Sequence, residues 1–214
     1  MNTILNLLGS ASLCVAPVLF IIGSLKKECD PKKINPNAAT FLIRSVVAWL
    51  NLATYFQGSQ TTYVRCSVLI VSSTSLTVLC GLSFFTGRLK MVKATEIACL
   101  IMAIAVGIAW KGQKATSPIM ANMLMQGILV ISFIPAVWRS YTLEDKQTSA
   151  TWIWATIAYF LMTAALLVDP HGYKLFQLVN PIVPGIIGNG ALAILGFRQE
   201  QIRKHASEIA FKTP

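Results

Sequence analysis

The chain has 214 residues, of which 55% are hydrophobic and only 12% charged, with a mean hydropathy of +0.63. That is too apolar and too sparsely charged for an ordinary water-soluble domain. The net charge of +10 would suit nucleic acid if its Lys and Arg formed a patch, but they sit between apolar runs, which excludes nucleic acid as a partner and points to a bilayer.

A helix needs about 20 mostly apolar residues to cross the hydrocarbon core. Runs that meet this cover residues 4–25, 38–58, 62–85, 94–110, 118–137, 151–168 and 173–197. They are too long and too continuously apolar for the alternating strands of a barrel. The expectation is therefore an all-α integral membrane protein with seven transmembrane helices. The first run lacks a basic leader and reads as a mature span rather than a secretory signal.

Basic residues set the orientation. Lys26, Lys27, Lys32 and Lys33 follow the first run; Arg88, Lys90 and Lys93 follow the third; Arg139 and Lys146 follow the fifth; Arg198, Arg203, Lys204 and Lys212 follow the seventh. The other side holds Lys111, Lys114, Lys174 and Arg65. This asymmetry places the N-terminus outside and the C-terminal tail in the cytoplasm.

The two ends of the chain resemble each other. Gly9 precedes Pro17 by eight positions, and Gly127 precedes Pro135 by the same interval. A basic loop follows each proline, then Ala39-Thr40-Phe41 in one half and Ala150-Thr151-Trp152 in the other. The simplest organisation is 3+1+3: a first three-helix unit over 1–93, a linker helix over 94–116, a second unit over 117–197 and a cytoplasmic tail over 198–214. Carriers are often built from such repeats. The tail reads as a solvated end or as a short helix lying on anionic lipid.

Polar residues at membrane depth face a cavity or a partner helix. The third span carries Ser72, Ser73, Thr74, Ser75 and Thr77, the second Asn51, and the seventh Asn180 and Asn189. They line a neutral polar pocket or serve as glue between helices. Asn189 is singled out because Gly188 and Gly190 flank it. Trp49 and Trp154 lie within spans, where an indole stacks on a flat or sugar-like ligand or simply packs; Trp110 and Trp138 stand at span ends as interfacial anchors. The candidate binding set is thus Asn189, Ser73, Asn51, Trp49 and Trp154. Arg44 either snorkels to the headgroups or contacts an anionic group. Pro17, Pro135, Pro181 and Pro184 mark hinges or static kinks.

Of five cysteines, Cys14, Cys66, Cys80 and Cys99 fall in apolar runs and Cys29 in a loop. None has metal-ligand spacing, and they read as small core residues. With His171 and His205 as the only histidines, both outside the spans, no metal or haem site inside the bilayer is expected. No nucleophile–base arrangement or phosphate loop is found either. The reading is of a non-enzyme without cofactors.

The seven-span plan, the paired Gly-to-Pro interval, and Pro17 followed by Pro36 before the second span resemble the PQ-loop superfamily, which includes the SWEET sugar carriers. The likeness extends over most of the chain as architecture; the Pro-Gln dipeptide itself is replaced by Pro17-Val18 and Pro135-Ala136. It implies rocking hinges at Pro17, Pro36 and Pro135, and a substrate contact at Asn189 opposite Ser72, Ser73 or Thr74. The function expected is a carrier that moves a small neutral polar solute, sugar or amino-acid-like, by alternating access. The alternative is a non-transporting receptor or accessory subunit, with a protein partner or a second copy of the chain on its loops or tail.

Overall fold

The computed structural model describes residues 2–25, 38–59, 63, 66–85, 94–112, 117–142, 149–170 and 172–212. Pro36 and Cys29 lie outside them. Among the described residues the regular elements are all helices: α1 (Asn2–Leu25), α2 (Ala38–Ser59), α3 (Ser67–Phe85), α4 (Ala94–Gly112), α5 (Pro118–Tyr141), α6 (Ser149–Leu167), α7 (Leu175–Asn180), a π-helical stretch (Pro181–Gly188) and α8 (Asn189–Lys212). The last three run on without a break as one rod.

Local chemistry sets several of these ends. Ser117 is extended at φ −62°, ψ 145° and its hydroxyl accepts from the Met120 N–H, while Pro118 fills the first turn, where its missing N–H costs nothing. Gln177 reaches back to accept from the Lys174 N–H at 2.7 Å, which starts α7. Between α6 and α7, Gly172 takes φ 71°, a left-handed conformation that glycine adopts without a Cβ clash. The π stretch coincides with Pro181 and Pro184. Neither can donate to the carbonyl four residues back, and a widened turn accommodates the lost bonds.

Five helices are long and apolar enough to cross a membrane: Asn2–Leu19, Ser67–Phe85, Pro118–Tyr141, Ser149–Leu167 and Leu175–His205. That set of helices is compatible with a multi-pass membrane protein. Of the other two runs read as spans, α4 is apolar over Ile97–Lys111, and α2 carries Arg44, Asn51, Thr54 and Gln57, which lower its hydropathy.

α3 packs against both α1 and α2, and the α7–π–α8 rod against both α5 and α6. Across the molecule α1 lies along α6 in the most extensive contact, and α2 lies along α5; α4 packs on α5 and α2. Two apolar clusters result. One joins Leu52, Tyr55, Leu69, Ala158, Met162 and Phe176; the other joins Val47, Cys99, Ala103, Met125 and Leu129. The rod does not fray after the last apolar residues. Gln199 donates to the Ser140 carbonyl at 2.7 Å, and Glu200 accepts from the Ser149 N–H at 3.0 Å and from its hydroxyl, so α8 clasps the end of α5 to the start of α6.

Candidate functional site

A cavity of about 110 Å³ lies between α1, α2, α3, α5, α6 and the rod. Its walls come from the second half of α1 (Leu13, Pro17), the first two-thirds of α2 (Phe41, Arg44, Ala48, Asn51), the length of α3 from Leu69 to Leu79, the second half of α5 (Leu129, Phe133), the first half of α6 (Trp152, Tyr159) and Asn180, Pro184 and Asn189 of the rod. The residues on α2 are spaced i, i+3, i+7 and i+10, and those on α6, Trp152, Ala155 and Tyr159, i, i+3 and i+7; each set is one helical face.

Of the expected binding residues, Asn51, Ser73 and Asn189 are brought together in this wall. Asn189 is buried and donates to the Gly185 carbonyl at 2.8 Å, holding the end of the π stretch. Ser73 donates to the Leu69 carbonyl at 2.9 Å. Trp49 and Trp154 are not in the wall. Trp49 is exposed on an outer groove between α2, α3 and α4, where its indole N–H donates to Thr77 at 3.0 Å; Trp154 is exposed on α6. The aromatic groups that do line the cavity are Trp152, Tyr159, Phe133 and Phe41. Pro17 is in the wall, whereas Pro135 is buried in α5 away from it.

Arg44 does not snorkel outward. It is buried in the cavity wall with its guanidinium carbon 3.9 Å from the centroid of the Phe133 ring, a cation–π geometry. Also in the wall, the hydroxyl of Tyr159 donates to Ser72 Oγ at 2.8 Å. Arg44 is the one charged side chain among the described residues of the wall.

Asn51 and Asn180 of the wall belong to a lattice of buried amides. Asn122 Nδ2 donates to the Asn51 backbone carbonyl and side-chain oxygen, both at 3.0 Å, and to Thr54 at 3.1 Å. Asn51 Nδ2 donates in turn to Asn180 Oδ1 at 3.2 Å. Gln126 Nε2 donates to Asn122 Oδ1 and, at 3.3 Å, to the Phe176 carbonyl. Backbone carbonyls accept only, so the contacts to Asn51 O and Phe176 O fix which end of Asn122 and Gln126 is nitrogen, and Asn51 and Asn180 follow in sequence. Asn180 Nδ2 and Gln126 Oε1 finish as buried groups with no hydrogen-bond partner among the described residues. Each such group costs roughly 1–3 kcal/mol unless something satisfies it.

Sequence reasoning found Asn51 and Asn189 but passed over Asn122, Gln126, Tyr159 and Trp152. A signal existed for the first two: polar amides four residues apart on an otherwise apolar helix share a face.

No family model, curated protein or solved structure matches this chain. The fold and cavity define an all-helical protein, several of whose helices are long and apolar enough to cross a membrane, with a largely apolar internal cavity into which a few polar side chains are set.

Proposed function

We propose that the chain is a carrier that moves a small polar solute across a membrane by alternating access, with seven spans, the N-terminus outside and the C-terminal tail in the cytoplasm. The observation that carries the reading is the cavity between α1–α3 and α5–α8, whose largely apolar wall holds Ser72, Ser73, Asn51, Asn180 and Asn189, with the amides of Asn122 and Gln126 bonded behind Asn51. A chamber at the meeting of two helical groups is where carriers bind their solutes.

The packing supports a 3+1+3 plan. Exchanging α1, α2 and α3 for α5, α6 and the rod turns the α1–α6 contact into the α5–α2 contact, and the contacts of α3 with α1 and α2 into those of the rod with α5 and α6. α4 falls outside the exchange, as a linker does. The PQ-loop resemblance accords with this plan, as does the placing of Asn189 and Ser73 in one wall. Pro17, Phe41 and Trp152 lie toward the ends of α1, α2 and α6 that adjoin the basic loops, while Asn51 and Asn180 lie at the opposite end of the cavity, so on the proposed orientation the amide lattice is on the outer side.

Counterflow into proteoliposomes preloaded with sugars, amino acids or organic acids tests this. The wild type is expected to accumulate labelled solute of one class, and a folded Asn189→Leu variant to lose accumulation at least about tenfold, the equivalent of one well-made polar contact. Absence of counterflow together with a stoichiometric co-purifying partner supports a receptor or accessory subunit instead.

A further inference from the structure

Where α5 ends beside α8, the outward faces of both helices change character at one level. α5 and the rod run parallel: Gln126 donates to the Phe176 carbonyl, a Cβ on Gly188 would touch the Phe133 ring, and Gln199 donates to the Ser140 carbonyl. On α5 the exposed stripe is Ile131, Ile134, Trp138 and Tyr141, spaced i, i+3, i+7 and i+10, which is one helical face. On α8 exposed Ile194 and Phe197 give way to exposed Arg198. Both faces are thus apolar up to the last turn of the span Pro118–Tyr141, where Trp138, Tyr141 and Arg198 take over.

These three side chains form a unit. The Trp138 and Tyr141 ring centroids lie 6.3 Å apart, and Arg198 Cζ stands 5.1 Å from the centroid of the Tyr141 ring, a cation–π placement. The ring holds the guanidinium without using its N–H groups, and Arg198 makes no hydrogen bond or ion pair among the described residues. Its neighbours on α8 are engaged elsewhere: Arg203 donates to Gln199 at 3.2 Å, and Glu200 turns to Ser149. Exposed, unmet arginine donors at the end of a span match an oxyanion with several acceptor oxygens. An indole and a phenol beside them belong at the level of lipid headgroups.

We propose that Trp138, Tyr141 and Arg198 bind the headgroup of an anionic phospholipid, with its phosphate against Arg198 and its acyl chains along the stripes that hold Ile134 and Ile194. Charge decides the class: the patch offers a positive group with no carboxylate paired to it among the described residues, and the cytoplasmic leaflet, which the basic loops put at this end of the spans, is the anionic one. A lipid bound here bridges α5 and α8 on the outside, where Gln199 already ties α8 to the Ser140 carbonyl. The assignment rests on the membrane placement of the chain and is independent of transport.

Two lipids with the same acyl chains and different headgroups test this in thermal-shift titrations of the detergent-purified full chain. Dioctanoyl phosphatidylglycerol is expected to bind roughly fivefold more tightly than dioctanoyl phosphatidylcholine, the margin of one basic side chain at a lipid surface. Arg198→Gln is expected to erase that preference and Tyr141→Leu to weaken it. Arg203→Gln, which alters a guanidinium already bonded to Gln199, is expected to leave most of it. The wild-type comparison stands by itself if a variant does not fold. Equal binding of the two lipids, a preference that survives Arg198→Gln, or an equal loss in Arg203→Gln overturns the assignment. A shift by glycerol phosphate that matches the lipid's also overturns it, marking a site for free phosphate instead. Release of the chain from membranes by alkaline carbonate without detergent removes the membrane placement itself, a failure distinct from equal binding in detergent.

Discussion

Gly185 lies so close to Tyr159 that a Cβ there would stand 2.5 Å from the ring Cγ and 2.6 Å from Cδ1. A methyl group must push the ring, and with it the hydroxyl contact to Ser72. Gly185→Ala is expected to cost about 1–3 kcal/mol, the usual range for overpacking a filled site, read as a lower melting temperature in detergent. At Gly190 a Cβ meets nothing within 4 Å, so Gly190→Ala is expected to be neutral or to stabilise by up to about 1 kcal/mol through helix propensity alone. The two glycines beside Asn189 differ in the same way, since a Cβ at Gly188 would stand 3.0 Å from the Phe133 ring. Close approach around Asn189 thus comes from Gly188, and from Gly185 a turn earlier. The sequence pointed to the right asparagine but could not rank its glycines, because a glycine's neighbours come from other helices. Helical phase was a usable signal that went unread for the tryptophans. Trp152 shares a face with Tyr159, and Trp154 sits about 200° round from Trp152; Trp49 is likewise about 200° from Asn51, which turns it to the outer groove.

Among the elements, α2 is the one whose sequence and place disagree most. It lies along α3 and α5 and buries Val47, Leu52 and Tyr55, yet it carries a buried Arg44 and the amides of the lattice. An arginine at a span's centre raises the cost of insertion by about 2.5–3.5 kcal/mol, and Arg44, the seventh of the 22 residues of α2, by part of that. α2 gains its compensation from Phe133 on α5 and from Asn122, both contributed by a helix that follows much later in the chain. As an isolated segment in a membrane-insertion assay, α2 is expected to insert less efficiently than α3, and Arg44→Leu to bring it up to the level of α3; equal insertion of the unaltered segments would mean that α2 needs no help from α5. The positions of all seven helical segments were legible as apolar runs. The π stretch was not: the prolines announced a departure from regular α geometry without specifying its form. The continuation of α8 to Lys212 was not legible either, because its support comes from Ser140 and Ser149 on other helices.

For the whole molecule, the pairings that make the chamber are long-range, α1 on α6 and α2 on α5, and no run of residues encodes them. What the sequence did carry was polarity at depth, which brought Asn51, Ser73 and Asn189 into view before any geometry. The direction of the amide chain depends on two backbone carbonyls, those of Asn51 and Phe176, and emerges only in three dimensions. If the lattice is the outer seal, transport requires it to open, and the wall of the chamber must then be reachable from both sides of the membrane. Ser72, half-buried in that wall, is the place to ask. In a chain whose native cysteines are replaced, Ser72→Cys should react with a small membrane-impermeant thiol reagent from the cytoplasmic face of inverted vesicles and, more slowly, from the outer face of right-side-out vesicles. Reaction from one face alone, with and without solute, would contradict alternating access.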